Sequence, residues 1–198
     1  MVQQAMQQLL NGLVIGSSYT LTALGLTLIF GMLELVNFAH GEVYMIGAFV
    51  ALTLAAAAKF PYLAAVAGSM LVVAALGIII ERIAFRPLRN ASRLNLLISS
   101  IGLSIFLQNV AQLVWGPEPH NLPSPYAKLQ LTLWNLSLNG QRLVVFAVSV
   151  ALIVVLYLLI QRTNLGIARR ACAFDMDTAS LLGVRVDGVV VITFALGA

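Results

Sequence analysis

Three segments that could carry chemistry stand out in a chain of 198 residues that is 61% hydrophobic and 9% charged. The first is Asn37-Phe38-Ala39-His40-Gly41-Glu42. Asn37 is suited to cap a following helix by accepting a bond from a free backbone N–H. Glu42 would sit near that helix's N-terminus, where the backbone dipole favours a negative charge. The residues allow two readings: a helix start whose His40 and Glu42 are satisfied by neighbours, or a hinge or gate lining a pathway, since ionisable groups at membrane depth are costly and tend to mark function. The second cluster is Ser100, Ser104 and Gln108, spaced every four residues and so on one helix face, flanked by Ser99 and Asn109. Such a stripe serves either interhelical hydrogen bonding or the wall of a path for a polar solute. The third is Thr163–Asp187, where Ala168, Cys172, Met176 and Ala179 make an apolar face of mostly small side chains, and Gly183 is placed to stop the helix. It reads as a surface helix lying against a membrane or as a docking helix for a partner.

The elements that position these clusters are long apolar runs. An ordinary soluble domain carries about 25% charged residues, and a chain this poor in charge could not cover its surface in water. Leu9–Leu33 is free of charge and would be about 37 Å long as a helix, enough to cross a bilayer with tilt. Phe38–Ala58, Tyr62–Ile80, Leu94–Trp115 and Leu143–Ile160 follow, and a sixth run begins near Val189 and stops at Ala198, as in a piece of a longer chain. The runs lack the period-2 alternation of barrel strands, and a backbone in lipid must satisfy its own hydrogen bonds. The expectation is an all-α polytopic transmembrane bundle, one domain over residues 1–198, with five complete spans and the start of a sixth.

Arginines orient it. Glu81–Arg93 holds Arg82, Arg86, Arg89 and Arg93, and Gln161–Asp187 holds Arg162, Arg169, Arg170 and Arg185. Two spans separate these segments, so both should lie on one side, cytoplasmic by the positive-inside rule, with Lys59, Lys128 and Arg142 on the other. Counting back puts the N-terminus outside. Four of the six prolines (Pro117, Pro119, Pro123 and Pro125) favour an extended path for the outer loop, where Trp115 and Trp134 suit the headgroup level. His120 there reads as a solvated histidine. The net charge of +4 is explained by topology and not by a nucleic-acid surface. One cysteine, Cys172, excludes an internal disulfide framework. Metal-ligand clusters, a P-loop and a nucleophile elbow are missing from the sequence. An intramembrane enzyme built on His40 and Glu42 is disfavoured, because residues two apart on a helix point in different directions.

The sequence resembles the LivH-type permeases of branched-chain amino acid ABC importers. The stretches that carry the likeness are Asn37–Gly47 (NFAHGEVYMIG), Glu81–Arg89 (ERIAFRPLR), Ile98–Asn109 (ISSIGLSIFLQN) and Arg170–Val184 (RACAFDMDTASLLGV), in family order. The resemblance implies a multi-pass subunit of a bacterial inner membrane, paired with a second, LivM-like permease. It implies two cytoplasmic ATPase subunits that consume the ATP, an external binding protein that delivers Leu, Ile or Val, and no cofactor on the permease itself. It also implies that residues 163–187 form the segment coupling the spans to the ATPases, with Gly166, Ala171, Asp175, Ala179, Leu182 and Gly183 as its residues. Phe174 stands where the family usually has a polar Glu or Gln, and Ile167 where it is usually basic. Urea or amide permeases of the same superfamily share much of the pattern and are the alternative solute class; a membrane scaffold without transport is the alternative outside transport.

Overall fold

The computed structural model describes residues 2–33, 36–56, 58–89, 91–121, 126, 130–133 and 136–198. Pro123, Pro125, Lys128 and Trp134 lie outside the described residues. The chain is helical almost throughout: α1 (Val2–Leu33), α2 (His40–Ala56), α3 (Tyr62–Ile80), α4 (Arg93–Trp115), α5 (Gly140–Arg162), α6 (Asn164–Phe174), α7 (Met176–Leu181) and α8 (Val186–Gly197). Among the described residues, four helices are long and apolar enough to cross a membrane: Gln4–Leu33, Tyr62–Leu88, Arg93–Trp115 and Gly140–Arg162.

The second expected span is shorter than its apolar run. A turn through Asn37–Ala39 delays the helix to His40, and it ends at Ala56, before Lys59 takes a left-handed φ of 54°. Its 17 residues reach about 25 Å. The segment read as a cytoplasmic loop, Glu81–Arg93, is largely a continuation of α3: one π turn over Glu81–Phe85, then a 3-10 turn over Arg86–Leu88. The wider π turn carries the helix on past the apolar run, which is why the crossing helix that starts at Tyr62 reaches Leu88. Between α4 and α5 the chain makes a short antiparallel hairpin, β1 (Gln130–Leu133) with β2 (Leu136–Asn139), with Leu131 opposite Leu138. An extended path was expected there, but not strand pairing.

Neighbours in space are α2 with α3, α3 with α8, α1 with α5 and α8, and α2 with α4. Small residues permit the closest approaches. A Cβ on Gly25 would lie 2.4 Å from the Gly197 carbonyl oxygen, and one on Gly77 would lie 2.8 Å from that of Phe194. These glycines bring α1 and α3 backbone to backbone with α8, as small residues do between membrane helices.

The buried core is concentrated at one end. Ile29 and Met32 of α1, Ala39, Ile80, Phe85, Cys172, Ala179 and Phe194 form one cluster there, with the Phe85 and Phe194 rings 5.3 Å apart. Arg86 and Arg89 bond Asp187 at this end, so the two arginine-bearing segments do meet on one side. At the opposite end Arg142, beginning α5, bonds Asn11 of α1.

Candidate functional site

At the start of α2, the Asn37 side-chain carbonyl accepts the Ala39 N–H at 3.1 Å, and the Asn37 backbone carbonyl accepts the His40 N–H at 3.2 Å. This Asx-type turn enters the helix. His40 points away from Glu42 into the bundle, with its Nε2 3.1 Å from the Thr22 carbonyl oxygen of α1. A carbonyl only accepts, so Nε2 carries the hydrogen. The ring lies against Gly25, where a Cβ would approach its Cε1 to 3.1 Å. His40 therefore joins α2 to the close contact of α1 with α8.

Glu42 faces α4. Gln108 Nε2 donates to Glu42 Oε1 at 2.5 Å and lies 3.5 Å from Ser104 Oγ, so the amide bridges the hydroxyl and the carboxylate. Ser100 does not join them: it is fully buried, and its Oγ donates to the Leu97 carbonyl of its own helix at 2.8 Å. Above Glu42, a cavity of about 660 Å³ opens between α2 and α4 and is roofed by residues 116–120. Its roof is ordered by aromatic contacts. Phe49 stacks on Trp115 with centroids 5.0 Å apart, and Trp115 Nε1 donates to Thr53 Oγ1 at 2.8 Å. His120 Nε2 lies 2.8 Å from the Trp115 carbonyl oxygen, and its ring meets Phe49 edge-on, so it is engaged in this roof and is not merely solvated.

At the core-bearing end, Glu81 is fully buried and paired with Arg89, and Arg89 Nη1 also bonds Asp187 at 2.6 Å. Arg86 Nη2 adds a second bond to Asp187 at 2.9 Å. This ion-pair chain fastens the π turn after α3 to the first turn of α8.

The Thr163–Asp187 segment is two helices. Thr163 caps α6 by accepting the Gly166 N–H at 3.2 Å. Gly166 lies so close to the end of α5 that a Cβ would be 1.9 Å from the Ile160 carbonyl oxygen. Arg169 Nη2 donates to the Leu28 carbonyl at 2.8 Å, tying α6 to α1. The single helix expected from the sequence breaks at Asp175, which is extended (φ −160°, ψ 115°) and caps α7. Its carboxylate accepts the Thr178 hydroxyl at 2.6 Å and the N–H groups of Asp177 and Thr178. The Thr178 bonds, hydroxyl first, hold the Asp175 carboxyl below the usual carboxylate range. Gly183, with φ 87°, ends α7 while Val184 N–H returns to the Ala179 carbonyl at 3.0 Å.

A family and several relatives match this chain. Residues 8–198 match the family described as the permease component of the branched-chain amino acid transport system. The chain belongs to this permease family. It is 42% identical to the high-affinity branched-chain amino acid transport system permease protein BraD of Pseudomonas aeruginosa, over 98% of this chain and 67% of that protein. It is 38% identical to LivH of Escherichia coli K12 over the same shares. An archaeal relative, the probable branched-chain amino acid transport permease protein LivH of Methanocaldococcus jannaschii, is 32% identical over 91% of this chain and 59% of its own length. No solved structure matches.

In this permease, the sequence-predicted polar residues divide by contact. Glu42, Ser104 and Gln108 come together at the groove; Asn37 and His40 build the turn and the bundle behind it; Ser100 is satisfied alone. Within Thr163–Asp187, Ala179 is buried and Ala171 packs on the core, so these small side chains face the permease's own body. What the segment exposes is larger: Phe174 at 95%, Leu181 at 88% and Leu182 at 78%. Sequence reading missed the Glu81–Arg89–Asp187 chain. Its one signal is that Glu81 is the first charge after the apolar run Tyr62–Ile80, followed closely by three arginines. Its partner Asp187 lies 98 residues from Arg89, beyond any local spacing rule.

Proposed function

We propose that this chain is the permease subunit of an ABC importer that moves leucine, isoleucine and valine across the bacterial inner membrane, with the α2–α4 groove as part of the solute path. The observation that carries the reading is the position of Gln108. It lies exposed beside Gln112 in the lining of an open groove, on a helix that also exposes Ile98, Ile101, Ile105 and Leu113, and it meets a carboxylate there. Polar side chains on a membrane helix belong against protein or water, and here they border a cavity large enough for an amino acid. Family membership supplies the solute class.

The permease works with a LivM-like permease, two cytoplasmic ATPase subunits that use ATP, and an external binding protein. The arginine-rich end faces the cytoplasm. ATPase docking falls to the exposed apolar residues Phe174, Leu181 and Leu182, while Gly166, Ala171, Ala179 and Gly183 shape the segment that presents them and Asp175 bends it. Closure of the ATPases then pushes on α6, and Arg169 passes that motion to α1 through the Leu28 carbonyl.

Uptake of labelled leucine by cells lacking the gene, and by cells with it restored, tests the reading. Leucine uptake should fall on deletion and return on restoration, with urea uptake unaffected. Unchanged leucine uptake, or a loss of urea uptake instead, would overturn it.

A further inference from the structure

Glu42 differs from the acidic residues that the fold uses as struts. It is half-buried at the floor of the groove, and its bond is to a neutral amide. Among the described residues, the groove lining holds a second carboxylate, Glu118, at its mouth, and neither lysine nor arginine. The ion pairs of Arg86 and Arg89 fall on Glu81 and Asp187, not on Glu42. A neutral amide supplies a hydrogen bond but no opposite charge, and a carboxylate between apolar helices is costly until one arrives. The groove also has an apolar wall, with Met45, Phe49 and Leu52 on the side of α2 that continues from Glu42.

Resting on the permease reading above, we propose that Glu42 receives the α-ammonium group of the travelling amino acid, held in place by Gln108, while the α2 wall takes its aliphatic side chain. Glu118 draws the cation toward the mouth. This makes Glu42 a specificity residue: it favours a solute that brings an ammonium and disfavours an uncharged amide or a des-amino acid of the same shape. An aminophospholipid headgroup carries the same chemistry, so the test must separate the two sources.

Ala48 is exposed in the groove wall, and the native Cys172 is buried, so an Ala48→Cys thiol reports on the groove with Glu42 intact. The assembled transporter is placed in vesicles of phosphatidylcholine and phosphatidylglycerol. It is then treated with cationic and anionic methanethiosulfonates, with the unsubstituted protein as background. The cationic-to-anionic rate ratio should exceed that of a free thiol by about tenfold. Leucine should slow the reaction, 4-methylpentanoate should not, and added phosphatidylethanolamine should leave the rate unchanged. Glu42→Gln should return the ratio to the free-thiol value and cut leucine uptake by about tenfold or more in transporters that still assemble. A thiol unreactive to both reagents, a free-thiol ratio with Glu42 present, or equal protection by 4-methylpentanoate overturns the proposal, and protection by phosphatidylethanolamine alone assigns the groove to lipid instead. If Glu42→Gln does not assemble, the thiol measurements on the Glu42-containing protein decide. Failure of the unsubstituted transporter to import leucine would sink the permease reading, whereas import with a flat rate ratio sinks only the role of Glu42.

Discussion

Glu81 and Glu42 are both carboxylates beside long apolar helices, and the protein treats them in opposite ways. Glu81 has no exposed surface, is paired with Arg89, and belongs to a chain of ion pairs that continues to Asp187 and Arg86. Glu42 sits in an open groove and leans on an amide. The first is neutralised by the fold and can only hold it together. The second is left for something that comes and goes. A buried ion pair is costly to break from one side, because the remaining charge is stranded. A groove carboxylate can be changed with little structural penalty, because water reaches it.

The sharpest way to break this comparison is Arg89→Met. It strands Glu81 and should cost about 3–5 kcal/mol, seen as a large fall in thermal midpoint of the purified protein. The double variant Glu81→Leu/Arg89→Met, which removes both charges, should recover most of that loss. A midpoint unchanged in Arg89→Met would show that Glu81 is not locked as described. Next in size is Gly166→Ala. Its new methyl meets the Ile160 backbone and cannot be relieved by a side-chain rotation, so a loss of about 1–3 kcal/mol is expected. The same assay should show Ala168→Gly, on the same helix but only partly buried, to be milder.

Gln108→Leu should change stability by less than about 1 kcal/mol, because the bond it removes is exposed. Leucine uptake should nonetheless fall several-fold, as the carboxylate loses its holder. Parallel losses of stability and uptake would erase the distinction between the two sites. The smallest effect belongs to Asp175. Its pKa is depressed in the folded state, so the stabilisation of α7 is present above the ordinary carboxylate pKa and fades as pH falls through the lowered value. Hydrogen exchange of the residue 176–181 amides should accelerate at that low pH, and Asp175→Ala should show the fast rate at every pH.

Much of the site was readable before the fold. The every-fourth spacing of Ser104 and Gln108 puts them on one face without any tertiary information. The Asn37 turn and the Gly183 stop follow from local backbone chemistry. Ser100 shares the same spacing but turns inward to its own helix carbonyl, and periodicity cannot distinguish a stripe that is wet at one end from one that is dry at the other. The small residues of Thr163–Asp187 were legible, but neither the break at Asp175 that divides them between α6 and α7 nor their neighbour was: Ala179 packs into the permease core, while Phe174, Leu181 and Leu182 are exposed. Small side chains invite close approach from any surface, and sequence does not say which.

The sequence by itself determined that this protein is a set of apolar helices with eight of its nine arginines gathered into two segments. Those features follow from the medium and from backbone hydrogen bonding, which act residue by residue. Only the tertiary structure decided which carboxylate is paired. Gln108 reaches Glu42 across 66 residues, and Arg89 reaches Asp187 across 98. Charge pairing depends on distances in space of a few ångströms, and those distances exist only once the helices have packed.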